Sequence, residues 1–314
     1  MRPIRQPAAI SFDKGLFADF AAGMTGADLS RRTVEGYRHD LEMFRRWFEK
    51  THGADASLLT LLVTDIMSYR HHLVQDEKRQ PATINRRLQA LRRFCQWAKK
   101  NELMDNDPSQ EIRSVRVTRA NQPRGLSSSE VHALLRAAGV SGHGLARRNY
   151  AAIQLLLQAG LRVGEVAALC VSDVTLRERS GSVRVREGKG RKARDIPLNA
   201  SARRALKTYL DERKAPKDHE PLLASKRATR LSIRSIEALV SELARRAKIT
   251  RIAVAPHALR HTFALAYLKQ NPGKLVELAT LLGHDSLDTT AIYTRPSVED
   301  LAAHLEKSPL NIDD

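Results

Sequence analysis

The chain has 314 residues and a formal charge of +18, from 53 Lys and Arg against 35 Asp and Glu. That length accommodates two domains with proper cores, and the positive excess, shared by both halves, draws polyanions: nucleic acid or an acidic membrane surface. No apolar run approaches the roughly 18 residues of a spanning helix, and Asp13 and Lys14 interrupt the start where a signal peptide needs continuous apolar residues. These features disfavour a membrane-bound or exported protein and lead to the expectation of a cytoplasmic one. Cys95 and Cys170 lie in apolar stretches without metal-ligand spacing or a disulfide framework, as packing residues of a reducing compartment do.

In chain order, residues 30–50 place Val34, Tyr37, Leu41, Phe44 and Phe48 on one helical stripe, with Ser30 available as N-cap. A second helix starts after Thr64. The third runs from Thr83 to Lys100 and gathers Ile84, Leu88, Leu91, Cys95 and Ala98 on one face. Asn85, Arg86, Gln89, Arg92, Arg93, Gln96, Lys99 and Lys100 occupy the other, and no acid occurs from Pro81 to Asn101. Ordinary solvated faces mix in Glu and Asp; this one holds the side chains that suit phosphates and base edges, which favours DNA contact. Residues 105–125 lose periodicity and gain Pro, Gly and arginines, as a linker crossing DNA phosphates does.

A second domain opens with a capping box, Ser127 to Glu130, before an amphipathic helix. A mostly apolar helix follows and ends at Gly160. The segments DVTLRE, SVRVRE and ARDIPL, punctuated by Gly181 and the Gly188–Gly190 turn, read as a small antiparallel sheet. From Asn199 onward the pattern is again helical, apart from a short PLLAS stretch. The run from Gly188 to Ala193 fits GxGxxA nominally, but a strand and Pro197 follow where a dinucleotide fingerprint needs a helix.

Five features of this domain can carry chemistry. Arg162 sits just past a helix-ending glycine, with Glu165 one turn on to orient it. Lys189 lies between glycines at a hairpin tip, suited to reaching a ligand and delivering a proton. His257 and Arg260 share one face at the start of a helix that opens with Pro256, a reasonable phosphate site; His261, adjacent in sequence, is expected to point elsewhere. His284 follows Gly283, which closes the preceding helix, and Tyr293 ends the next helical turn. Each feature alone also has a bland reading: a surface arginine, a solvated turn, a chance pair, a core aromatic.

The ordered series Arg162, Lys189, His257-x-x-Arg260, Leu281-Leu282-Gly283-His284 and Tyr293 resembles the tyrosine recombinase (phage integrase) family, nearest to the short chromosome-dimer and transposon resolvases. The likeness covers essentially the whole chain, with every catalytic position present and no additional amino-terminal arm-binding domain expected. It implies a mainly α fold: an N-terminal helical core-binding (SAM-like) bundle over 11–104, a linker over 105–125, a C-terminal α-dominated catalytic domain with a small antiparallel sheet over 126–304, and a tail over 305–314.

Attack on a phosphodiester places negative charge on two non-bridging oxygens, and two guanidiniums match these bidentately; Arg162 and Arg260 fit that role. His257 and His284 supply hydrogen bonds or proton transfer near neutral pH. The family implies Tyr293 as nucleophile, forming a 3′-phosphotyrosyl link, and Lys189 as general acid on the leaving 5′-oxygen. No cofactor or metal is expected, since one phosphoester replaces another and the chain has no GxxxxGK[ST] loop or acidic cluster suited to two metals. The expected partners are double-stranded DNA with paired inverted half-sites and a homotetramer assembled on it, or a related second recombinase. Val298, Leu301, Ala302 and Leu305 form a short apolar stripe that in relatives docks on a neighbouring subunit. A catalytically silent DNA-binding protein and a type IB topoisomerase are the alternatives.

Overall fold

The protein is described by a computed structural model over residues 14–25, 31–53, 61–116, 124–139, 145–186, 193–213, 216–284, 286–294, 302 and 305–306. It divides into two units, residues 1–120 and 121–314, and Ser30, Lys189, Val298 and Leu301 lie outside the described residues.

The first unit holds α1 (Lys14–Thr25), α2 (Arg31–His52), α3 (Val63–Gln75) and α4 (Pro81–Lys100). The stripe read on α2 is the one that turns inward, with Val34, Leu41, Phe44 and Phe48 buried. All five apolar positions of α4 are buried too. Phe44 meets Tyr69 of α3 edge-on at 5.1 Å, and Phe20 meets Phe94 of α4 at 5.6 Å. Each such side chain contributes roughly 1.5–3 kcal/mol by leaving water. Helix α1 escaped the sequence reading because only Phe17 and Phe20 mark its buried face. Helix α4 begins at Pro81 rather than Thr83, since a proline in the first turn needs no partner for the N–H it lacks.

The loss of periodicity after residue 104 does not end this unit. Met104 and Ile112 are buried in its core. Asn85 donates from Nδ2 to the Val115 carbonyl at 2.9 Å and accepts from the Val115 amide at 2.7 Å, while Arg92 donates to the Ile112 carbonyl.

The second unit opens with the expected capping box: the Ser127 amide donates to Glu130 at 2.7 Å and the Glu130 amide to Ser127 Oγ at 3.3 Å. Then come α5 (Ser128–Gly139), α6 (Ala146–Gln158) and α7 (Val163–Ala168). Strands β1 (Val174–Leu176), β2 (Gly181–Val185) and β3 (Arg194–Pro197) form an antiparallel sheet in the order β1-β2-β3, registered through Val174↔Val183 and Val183↔Ile196. After them come α8 (Ala200–Glu212), α9 (Ile233–Arg246), α10 (Pro256–Gln270), α11 (Leu275–Leu282) and α12 (Leu287–Ala291).

Helix α6 is the axis of the core. Its residues 148–157, with the exception of Tyr150, are buried. It stops before Gly160, whose φ of +60° only glycine adopts readily and whose added Cβ would lie 2.4 Å from the Phe263 ring. That close approach brings the α6–α7 turn against α10, where the candidate site begins.

Candidate active site

Arg162 is the N-cap residue of α7, in extended backbone immediately after the Gly160 turn. Its amide donates to Glu165 Oε2 at 2.8 Å and its Nη1 to Oε1 at 3.0 Å, so Glu165 orients it by both main chain and side chain. Its Nη2 donates to the Gly283 carbonyl at 2.9 Å, tying α7 to the end of α11. Glu165 also receives a bidentate pair from Arg194 at the start of β3, at 3.0 and 2.9 Å, and Arg194 Nε reaches the Leu281 carbonyl at 3.2 Å. Gly283 sits in the left-handed region at φ +61°, and a Cβ there would lie 2.8 Å from the Arg194 guanidinium. One buried carboxylate thus organises two arginines that are far apart in sequence.

Arg260 comes from α10. Its Nη1 donates to the Gly160 carbonyl at 2.5 Å and its Nη2 to the Leu282 carbonyl at 2.7 Å; the same Nη2 lies 3.0 Å from His284 Nε2. His284 Nδ1 is 2.8 Å from Thr290 Oγ1 of α12, which fixes its ring plane. Both carbonyls that hold Arg260 are at helix ends, where acceptors lack intrahelical donors. The result is a cleft of about 470 Å³ lined by Arg162, His257, Arg260, His284, Ser286 and Thr289 among others. Four of the expected site residues therefore share one wall.

Tyr293 does not line that cleft. Only 8% exposed, it packs in a small cluster with Ala264, Leu278 and Leu282. Its hydroxyl lies 2.7 Å from His261 Nδ1. The expectation that His261 points elsewhere is corrected here. The ring of His261 meets His257 edge-on at 4.2 Å and Tyr293 at 5.4 Å. On a helix, positions i, i+3 and i+4 lie on one face, so His257, Arg260 and His261 turn together.

The electrostatics favour an anion. Among the described contacts, Arg162 and Arg194 bond to the single Glu165 carboxylate, and Arg260 adds a third positive charge. Burial pushes the Glu165 carboxyl up, but the Arg194 and Arg162 hydrogen bonds outweigh it and hold it below the usual range. Burial and then the Arg162 charge lower Arg260 to about 10, still cationic at neutral pH. Burial, assisted by Arg260 and Arg162, lowers His257. Burial followed by the His257 and Arg260 charges lowers His261 to about 4, leaving it neutral at pH 7. Burial raises the Tyr293 phenol, against the pull of Arg260 and Arg162. A neutral imidazole with its proton on Nε2 accepts at Nδ1 from the Tyr293 hydroxyl, and one with its proton on Nδ1 donates to it.

Comparison with known proteins decides the family. The phage integrase family profile matches residues 124–300, and that of the phage integrase N-terminal SAM-like domain matches residues 24–102. The chain belongs to the phage integrase family. It is 33% identical to tyrosine recombinase XerD of Ralstonia nicotianae over 286 residues, 90% of this chain and 89% of that protein. It is 34% identical to tyrosine recombinase XerD of Caulobacter vibrioides over 292 residues, 90% and 92% of the two chains. Among solved structures, XerA recombinase shares 27% identity at a TM-score of 0.51, with 95% of this chain and 99% of that one covered. XerH site-specific recombinase, bound to a palindromic difH substrate, shares the fold at 21% identity and a TM-score of 0.72, covering 95% and 90%. This phage integrase family member is a tyrosine recombinase.

In this recombinase the α4 face is partly committed to its own chain. Asn85 and Arg92 hold the 112–115 segment, and Arg86 pairs with Asp40, a carboxylate buried beneath it. Gln89 is half-buried, whereas Arg93, Gln96 and Lys100 are exposed. Strands β2 and β3 pair through Val185↔Arg194, and Arg194 bonds Glu165; Lys189 lies outside the described residues. Sequence reasoning missed two residues of the site, Arg194 and His261. The four-residue spacing from His257 was available for His261; Arg194, one of several basic residues before DIPL, carried no local signal.

Proposed function

We propose that the cleft binds one backbone phosphate of double-stranded DNA and that the chain cuts and rejoins the strand there. Arg162 and Arg260 clamp the two non-bridging oxygens, and His257 and His284 add hydrogen bonds. The Tyr293 oxygen attacks phosphorus: an O–P bond to the phenol forms, the bond from phosphorus to the 5′-oxygen breaks, and the phenol loses its proton to a base. Lys189 protonates the leaving 5′-oxygen. The reverse attack by a 5′-hydroxyl releases the tyrosine and reseals a strand, so phosphoester energy is conserved. A preorganised donor aimed at such developing charge is worth about 3–4 kcal/mol of barrier.

The observation that carries this reading is the joint fixing of Arg162 and Arg260, 98 positions apart, on one cleft by the Gly283, Gly160 and Leu282 carbonyls. The relatives' names, tyrosine recombinase and site-specific recombinase, support exchange at a specific site; in our reading it takes place between paired inverted half-sites, by four subunits of this chain or with a related second recombinase. The exposed Ala302 and Leu305, the latter 71% accessible, support a tail that docks on a neighbour. A cytoplasmic location on DNA fits the absence, among the described residues, of any helix long and apolar enough to cross a membrane. Residues 11–104, with the 105–116 segment packed on them, serve as the core-binding domain, and 126–304 serve as the catalytic domain.

The withdrawn position of Tyr293 is what favours the second reading, a protein that binds DNA without cutting it. Nicked suicide substrates carrying the half-sites separate the two. We expect a protein–DNA adduct that survives denaturation and disappears in Tyr293→Phe; a wild-type chain that binds its site yet yields no adduct favours the binding-only protein.

A further inference from the structure

We infer that the Tyr293–His261 hydrogen bond is a latch, with His261 a positioning residue that stores the nucleophile outside the cleft until the cleft is occupied. The inference rests on Tyr293 being the nucleophile proposed above, and what it adds is His261 as the residue that holds the phenol. Three observations carry it. The Tyr293 hydroxyl has His261 as its side-chain partner, at 2.7 Å, while its ring packs with Ala264, Leu278 and Leu282 and is not among the residues that line the cleft. A buried hydroxyl without such an acceptor is costly, so the bond stabilises the withdrawn seat specifically.

The second observation is the contact between the two histidines. His257 lines the cleft, and its ring meets His261 at 4.2 Å. A phosphate that draws His257 toward the arginines shifts the ring against which His261 is braced. The latch therefore has a direct packing route from the ligand to the phenol. Thirdly, the segment to be released is short. Tyr293 lies just past α12, a five-residue helix, and its amide is held by Thr290 at 3.0 Å. Segments with so few internal bonds open at low cost.

A latch and a general base make opposite forecasts for the same residue. His261→Ala removes the acceptor. His261→Asn keeps an acceptor where Nδ1 stood but cannot take up a proton. In the full chain without DNA, acetylation of Tyr293 by N-acetylimidazole, followed by peptide mass mapping, reports how often the phenol leaves its seat. Loss of a hydrogen bond of ordinary net strength is expected to speed that modification roughly fivefold in His261→Ala, with His261→Asn close to wild type. First-turnover adduct formation on nicked suicide substrates should rise in His261→Ala by a similar factor and be restored by Asn.

Unchanged acetylation in His261→Ala overturns the latch. So does a loss of adduct in both variants, which makes His261 a proton acceptor. Thermal melting checks that each variant folds; His261→Gln, whose acceptor sits farther out, replaces Ala if that variant does not. An adduct that persists in Tyr293→Phe would sink the nucleophile assignment instead, and the acetylation experiment, which needs no catalysis, would still decide the latch.

Discussion

Glu165 shows how one residue can organise a site that it need never touch chemically. Its buried carboxylate receives Arg162 and Arg194, and removing one partner of such a group leaves charge without its compensation. Arg194→Ala should therefore cost about 3 kcal/mol of unfolding free energy and slow adduct formation by displacing Arg162. The pH dependence has a definite sign. A carboxyl whose folded pKa is depressed stabilises the protein fully above its unfolded value of about 4.3 and loses that contribution as pH falls below it. Chemical denaturation between pH 3 and 7 should show this acid limb flattened in Arg194→Ala; equal limbs in the two proteins would mean that Arg194 does not hold Glu165. Gly283 belongs to the same unit, because its missing Cβ is the space that the Arg194 guanidinium fills.

At the level of elements, the site is a meeting of helix ends. The Gly160 turn before α7, the first turns of α10 and the glycine stop of α11 each present backbone carbonyls or capped side chains to one place. Glycine at a left-handed stop is legible in sequence, and Gly160 and Gly283 were both read as such. The polar face of α4 illustrates the opposite case. Its composition suits DNA, but composition cannot distinguish a side chain that reads a base edge from one that holds a loop. Asn85 accepts from and donates to Val115, so Asn85→Ala should lower stability by about 1–2 kcal/mol and speed amide exchange in residues 105–116. If instead stability is untouched while affinity for a cognate site falls, Asn85 reads DNA and the clamp is incidental.

For the whole molecule, charge is the property that acts at a distance. With a net +18 shared by both halves, binding to duplex DNA should release counterions, and log K should fall linearly with log salt concentration. Contact with on the order of 6–10 phosphates corresponds to a loss of about 10³–10⁵ in affinity between 50 and 200 mM salt. A titration by fluorescence anisotropy tests this, and a shallow slope of one or two charges would show that most of the basic surface stays off the DNA.

By itself, the sequence was sufficient for the helices with strong periodicity, the three strands, the caps and the ordered series of candidate residues, because periods, caps and turn residues act over a few positions of chain. Helix α1 fell below that threshold with two inward phenylalanines. What only the tertiary structure decided is which groups meet: that Arg194 shares Glu165 with Arg162, that His261 rather than His257 bonds Tyr293, and that the phenol rests beside the cleft and not in it. Those contacts join side chains separated by about 30 positions, and their geometry follows from how β3 meets α7 and how α10 meets the end of α12, which no local pattern records.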